Sequence, residues 1–440
     1  MNRSRNVSAV IVGGGQAGLA MSRSLTERSI DHVVLERGDV AHSWTTERWD
    51  SLRLLTPNWL SRLPGCTYDG PDPDGYMTAA EVAAHLRRYR EVIGAPVISG
   101  TKMESVATAG SGFRVHTDDG VWHARSVVVA TGACSTPRVP AVARELPERI
   151  RTITPVSYRN PSQLDDGRVL VVGASASGLQ IADELARSGR EVTVAVGEHV
   201  RMCRTYRGMD LHWWLDRLGI LDERYDEVDD IQRARRLPSL QLIGSPERRD
   251  LDLNALSDRG VDLVGRLVGC ATGKLQFSGS FANLCASADL KLNRLLDSID
   301  AYALEHGLDA ALTAADRPAP TRVGEPALEM DAATLGTIVW ATGYRPEYPW
   351  LDPRLLDPKG AVVHDGGVMA CPGMYVLGLP FMRRRKSSFL DGVGADTADL
   401  VGALHASLDE SAARIPRPSV NMEGWGSGSA TTSSTKTRAR

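Results

Sequence analysis

VSAVIVGGGQAG, residues 7–18, decides the fold. Its first six residues are mostly apolar and β-branched, the pattern of a buried strand. Three glycines follow. Ala17, Met21 and Leu25 then recur every fourth residue, as on one face of a helix. A second apolar run, His32 to Leu35, ends in Glu36. Strand, glycine turn, helix, strand is one βαβ unit. In Gly13-x-Gly15-x-x-Gly18, Gly13 permits the tight turn, Gly15 leaves the backbone bare for a pyrophosphate, and Gly18 lets the helix pack on the strand. The first N–H groups of the helix face that anion. Glu36, at the end of the second strand, is placed to accept hydrogen bonds from the hydroxyls of an adenosine ribose.

The pattern returns at 168–196: RVLVVG is a strand, ASASG a turn, LQIADELARSG a helix with Leu179, Ala182 and Leu185 on one face, and EVTVAV the next strand. The turn reads Gly173-x-Ser175-x-Ser177-Gly178. Serine in the middle loosens the backbone approach but offers a hydroxyl to a phosphate. No acid ends the following strand; Arg201, Arg204 and Arg207 lie just beyond Val196. A carboxylate would repel a 2′-phosphate, whereas guanidinium groups bind it in bidentate fashion, which predicts NADPH and not NADH. Two dinucleotide sites in one chain imply hydride traffic between a tightly held flavin and a diffusing nicotinamide. The site with the ribose acid is then the FAD site, and the cofactors are FAD and NADPH.

Two further segments, SVVVATG (126–132) and TIVWATG (337–343), are buried-type strands ending in Thr-Gly. The fold class expected is α/β, with two Rossmann-like dinucleotide-binding domains, the NADPH domain inserted in the FAD domain. Polar connectors place the boundaries. Residues 1–160 are the first part of the FAD domain, and 161–330 are the NADPH domain with a substrate-lining insertion. Residues 331–415 are the second part of the FAD domain. Residues 416–440, rich in Gly, Ser, Thr and Arg without apolar periodicity, are expected to be a disordered tail.

Composition agrees. The 440 residues suit two or three domains. Lys plus Arg number 51 and Asp plus Glu 54, a net charge of −3 that argues against nucleic acid or anionic lipid as partner. The 42 glycines fit many strand-to-helix turns. None of the 6 cysteines forms a CxxC, which argues against a disulfide scaffold or dithiol reductase. The ten histidines show no zinc-type spacing, so no metal is expected. With no signal-peptide pattern and no long apolar run, the chain reads as a cytoplasmic protein outside the membrane.

GGGQAGLA, Glu36, the Trp44–Trp49–Trp59 region, the two ATG segments, the inserted GASASG and the C-terminal RRRKSSFLDGVGAD together resemble the class B flavoprotein monooxygenase group. That group includes flavin-containing monooxygenases, plant YUCCA-type enzymes and bacterial CzcO-like flavoproteins. WDSLRLLTPNW, YRNP and the Arg-Arg-Lys-Ser-Ser segment are most similar to the CzcO-like branch. The resemblance spans roughly residues 7–405. It implies an NADPH-dependent FAD monooxygenase that inserts one oxygen atom of O2 into a small organic substrate through a C4a-peroxyflavin. Nitrogen, sulfur and Baeyer–Villiger-type oxygenation all use these cofactors. A homodimer is a habit of the group.

The cofactor-lining set implied by the resemblance adds Gln16, Ala17, Arg37, Trp44 and Met103, with Thr131 and Gly132 of the first ATG and Thr342 and Gly343 of the second. A helix beginning near Gly394 and Ala395 would aim its N-terminal amides at the flavin pyrimidine edge. Two departures stand out. The fingerprint FxGxxxHxxx(Y/F/W) falls on Glu148, Ile150, Thr154 and Tyr158, of which only Tyr158 fits. The Asn that often faces the flavin falls on Leu55, with Asn58 nearby as a loop-capping side chain. These keep open an alternative, an NADPH-dependent flavin oxidase or reductase without oxygen insertion.

Overall fold

The computed structural model describes residues 4–413; the tail expectation for 416–440 lies outside them. The chain opens with β1 (Ser4–Val12), α1 (Gln16–Glu27) and β2 (His32–Leu35), followed by the short β3 (Val97–Ile98) and the long β4 (Gly120–Val129). Next come β5 (Arg151–Ile153), β6 (Arg168–Val172), α2 (Ala176–Arg187), β7 (Val192–Ala195), β8 (Asp262–Val264) and the 25-residue α3 (Phe281–Glu305). The chain closes with β9 (Leu335–Trp340), β10 (Met374–Val376) and α4 (Gly392–Ala413).

Two sheets result, with one topology. The first runs β3-β2-β1-β4-β10 in parallel; two antiparallel hairpins extend it on the side away from β3, one pairing with the start of β4 and the other with β10. The second runs β8-β7-β6-β9-β5, again parallel. Parallel strands are covered on both faces, so they read as continuous apolar runs. In β1 the exposed beginning gives way to four fully enclosed residues, Ala9 to Val12. Val10, Ile11, Val127 and Val128 are 0% exposed, and each such side chain contributes about 1.5–3 kcal/mol against the entropy of ordering the chain. In β6 the pleat divides two cores: Val169 and Val171 face α2 and Phe281, while Leu170 and Val172 face Ile338 and Trp340. The insertion between β7 and α3 has its own core, where Trp214 meets Leu292, Leu296 and Ile299. Among the described residues no helix is long and apolar enough to cross a membrane.

The insertion of one dinucleotide-type unit in another stands, but the expected boundaries at 160/161 and 330/331 do not. β5 precedes residue 160 and pairs with β9, and β9 follows residue 330 and pairs with β6, so both belong to the second sheet. TIVWATG is the fourth strand of the second unit, as SVVVATG is of the first. The chain crosses between the units where Thr136–Pro137 pairs antiparallel with Tyr344–Arg345.

Candidate functional site

Each unit places a glycine turn where its first strand meets its helix. Gly13 has φ +113° and Gly173 φ +114°, conformations that favour glycine. A Cβ on Gly13 would collide with the Ala130 carbonyl oxygen, and one on Gly173 with that of Ala341. A Cβ on Gly18 or Gly178 would strike the carbonyl of the turn's own first glycine. These four positions are fixed by backbone packing.

The middle position differs. Gly15 (φ −86°, ψ −172°) and Ser175 (φ −89°, ψ −176°) have nearly the same extended backbone, and each is the residue before its helix. Neither helix receives a side-chain cap, so first-turn N–H groups stay free, the arrangement that binds anions. A Cβ on Gly15 would meet nothing within 4 Å. Glycine there is not demanded by conformation or by protein packing. It keeps clear the space a diphosphate would fill.

The first turn opens into a cavity of about 500 Å³. Gly13, Gly15, Gln16, Ala17, Glu36, Arg37, Trp44, Met103, Thr131 and Gly132 all line it. Gln16 donates through Nε2 to the Ser388 carbonyl at 2.7 Å, tying the helix start to the C-terminal loop. Glu36 is 8% exposed; its Oε2 accepts from Gly14 N at 2.6 Å and its Oε1 from Gly38 N at 3.0 Å. Those bonds fix the carboxylate while each oxygen keeps a lone pair for ribose hydroxyls. Arg37 pairs with Glu47 at 2.5 Å. Arg48 lies over the Trp44 ring at 5.3 Å.

Sequence reasoning missed a group on the wall facing the second unit. Arg48, Glu47 and Cys134 line the cavity, and Tyr344 bonds Ser177 of the second turn while feeling the charges of Arg48 and Glu47. Tyr344 therefore links the second turn to the Arg48–Glu47 side of the cavity. Burial pushes its phenol pKa up, with Arg48 opposing, so the phenol is held protonated. The tyrosine directly after the second ATG was the available signal.

Other expected residues fall elsewhere. Thr342 and Gly343 stand beside the second turn, with Thr342 Oγ1 donating to the Arg138 carbonyl. Gly394 and Ala395 do not line the large cavity; the space over Gly394 is taken by Pro64, 3.2 Å from a Cβ there. Trp49 is buried in the second unit's core. Leu55 packs in the insertion core, and Asn58 caps its loop, accepting from Met77 N and donating to the Asp72 carbonyl. Tyr158 is fully buried and donates to Glu184 Oε2 at 2.8 Å, which pins the connector to α2. Arg383, Arg384, Arg385 and Lys386 are all engaged by carboxylates.

The assignment of a 2′-phosphate to Arg201 and Arg204 is corrected. Arg201 is 4% exposed and bonds Asp252 at 2.6 Å and Asp289 at 2.7 Å. Arg204 is 0% exposed; it donates to the Leu55 carbonyl at 2.8 Å and to Asp210 at 3.0 Å. Arg207 is held by Asp309 at 2.6 Å. A buried guanidinium needs its carboxylate, and a phosphate could reach it only by displacing that partner. These arginines stitch the insertion together.

Residues 10–213 match the pyridine nucleotide-disulphide oxidoreductase family. Over 90% of its length the chain is 30% identical to a CzcO-like oxidoreductase of Geobacillus kaustophilus, 97% of which is covered. It is 33% identical to the indole-3-pyruvate monooxygenase YUCCA1 of Oryza sativa subsp. japonica over 44% of this chain and 48% of that one. A flavin-containing monooxygenase from Stenotrophomonas maltophilia has the same fold, with TM-score 0.63 and 21% identity, covering 91% of this chain and 99% of that one.

Proposed function

The chain belongs to the CzcO-like oxidoreductases, a branch of the class B flavoprotein monooxygenase group, and from that premise we propose that it is an FAD- and NADPH-dependent monooxygenase placing one oxygen atom of O2 on a small organic substrate. The observation that carries this reading is the pair of matched glycine turns, of which only the first has a carboxylate at the end of its second strand. The YUCCA1 and Stenotrophomonas proteins, both named as monooxygenases, support it.

FAD fits the first turn: Gly15 leaves the diphosphate space clear, α1 would offer its free N–H groups, and Glu36 would take the ribose hydroxyls. NADPH would take the second, where Ser175 and Ser177 would meet its phosphates beside the uncapped start of α2. Bound FAD supplies two-electron chemistry, accepting hydride and passing electrons to O2. The chain's own part is positional. Tyr344 bonds Ser177 of the second turn and lies near Arg48 and Glu47 of the first cavity, Trp44 and Arg48 would flank the flavin, and the insertion, packed on Leu55 and Trp59, would help keep water out. The units are proposed to divide at the paired linkers near 137 and 344.

The second reading, an NADPH oxidase, is favoured by Thr154 and Leu55, which stand where the group has its fingerprint histidine and flavin-facing asparagine. Turnover with NADPH and ¹⁸O2 across amines, sulfides and ketones separates the two. Incorporation of ¹⁸O into a product supports oxygenation. Hydrogen peroxide equal to NADPH consumed, with every substrate, supports the oxidase.

A further inference from the structure

The pairing of Arg201, Arg204 and Arg207 leaves the nicotinamide site without a partner for the coenzyme's extra phosphate. In a sheet of this strand order the adenosine ribose lies beyond the end of the unit's second strand, here β7. β7 stops at Ala195; Val196 N donates to the Val264 carbonyl of β8 at 2.9 Å, and Gly197 follows. Arg266, two residues past β8, sets its Nε 3.7 Å from the point where a Cβ on Gly197 would stand. Gly197 has no side chain, so the guanidinium lies across the turn. It is exposed, and no described residue bonds or pairs with it.

The next residue, Glu198, lines a second cavity, of about 330 Å³, whose walls include Arg233 and Arg236. Both arginines are exposed, and their guanidinium groups too lack any partner among the described residues. The two carboxylates of this cavity are differently placed. Asp230 Oδ1 accepts from Arg233 N at 2.9 Å, capping the short turn of helix at 231–234. Glu198 has Lys291 at 3.9 Å. Arg266 thus stands free across Gly197, and Arg233 and Arg236 stand free in the cavity that the neighbouring Glu198 lines, in a chain where the arginines first suspected are consumed by ion pairs.

We propose that Arg266, lying across the Gly197 turn, binds the 2′-phosphate of NADPH, and that Arg233 and Arg236 close on it from the adjoining cavity. A dianionic phosphate satisfies what these side chains lack, and a guanidinium fork matches its geometry. This inference rests on the nicotinamide reading of the second unit.

The test is calorimetric titration of the oxidised, FAD-loaded protein with NADP⁺ and, separately, NAD⁺. Wild type is expected to bind NADP⁺ the more tightly. Arg266→Gln should weaken NADP⁺ by about ten- to a hundredfold and leave NAD⁺ within about twofold. Arg233→Gln with Arg236→Gln should weaken NADP⁺ by about three- to tenfold. All three positions are exposed, so unchanged flavin content and melting temperature confirm intact variants. Equal binding of the two coenzymes by wild type, or equal losses for both in Arg266→Gln, overturns the inference and leaves the nicotinamide site standing. NADP⁺ affinity unchanged in the double variant overturns the closing role of Arg233 and Arg236. If wild type binds neither coenzyme, the nicotinamide reading fails and the inference fails with it.

Discussion

The two glycine turns share a backbone and differ in chemistry. Gly13 and Gly173 sit one degree apart in φ, each against the carbonyl of the alanine just past the fourth strand. Past the turn they diverge. The first has bare Gly15 and a carboxylate fixed by two backbone N–H groups. The second has Ser175 in place of the bare glycine, and its second strand runs into Gly197. A cofactor that stays is held at many points, including the ribose; one that comes and goes needs fewer, and charge can select it. The turn geometry says that a dinucleotide binds, and the residues after the second strand say which one.

Substitution at the matched positions should break the symmetry in opposite directions. Gly15→Val meets nothing within 4 Å of its Cβ and keeps an ordinary φ, so the fold is expected to survive. Flavin content, read by absorbance, should fall from about one per chain to near zero because the branched side chain fills the pyrophosphate space. Flavin retained at wild-type level would mean that this turn is not the phosphate site.

Arg201→Ala should act on stability, not on coenzyme choice. It strands Asp252 and Asp289, and removing one partner of a buried pair costs about 3–5 kcal/mol. A lowered denaturation midpoint, with the NADP⁺ to NAD⁺ affinity ratio unchanged, is the expected result. Ser175→Val should weaken NADP⁺ by about tenfold or more while FAD remains bound, as measured by titration of the yellow protein. Glu36→Gln keeps an acceptor for Gly14 N but removes the charge that meets the ribose. FAD affinity should fall by about tenfold, read by flavin release on dilution.

The smallest effect is that of pH. His32, His85, His199 and His212 have imidazole pKa values lowered chiefly by burial, and burial with Arg235 brings His364 to about 4. A folded-state pKa below the unfolded value means that stability is fully present above about 6.5 and is lost as pH falls toward the folded value. The melting temperature should decline from pH 7 to pH 4.5, and less steeply in His364→Gln. A flat profile would contradict the burial of these rings.

What could be read from the sequence follows the same division. Gly13, Gly18, Gly173 and Gly178 were legible because backbone sterics leave no other residue, and Glu36 because a strand end fixes where a side chain points. Arg201 misled because its carboxylates are remote in sequence, and Arg204 because the carbonyl that helps bury it, Leu55, is 149 residues away. Asp252 and Asp289 lie 51 and 88 residues from Arg201, and nothing local marks an arginine as buried. The same limit misplaced residues 331–343: SVVVATG and TIVWATG are alike, and only strand pairing assigns the second to β6. Arg266 carries no local sign either; its meaning comes from the β7–β8 pairing that brings it to Gly197.

The central claim is that one polypeptide holds a flavin in its first turn and admits a reduced nicotinamide to its second. Anaerobic rapid mixing of the purified yellow protein with NADPH tests it most directly. The account predicts that the flavin absorbance of about one FAD per chain bleaches with about one equivalent of NADPH. A protein that takes up no FAD, or whose bound flavin stays oxidised under excess NADPH, would contradict it.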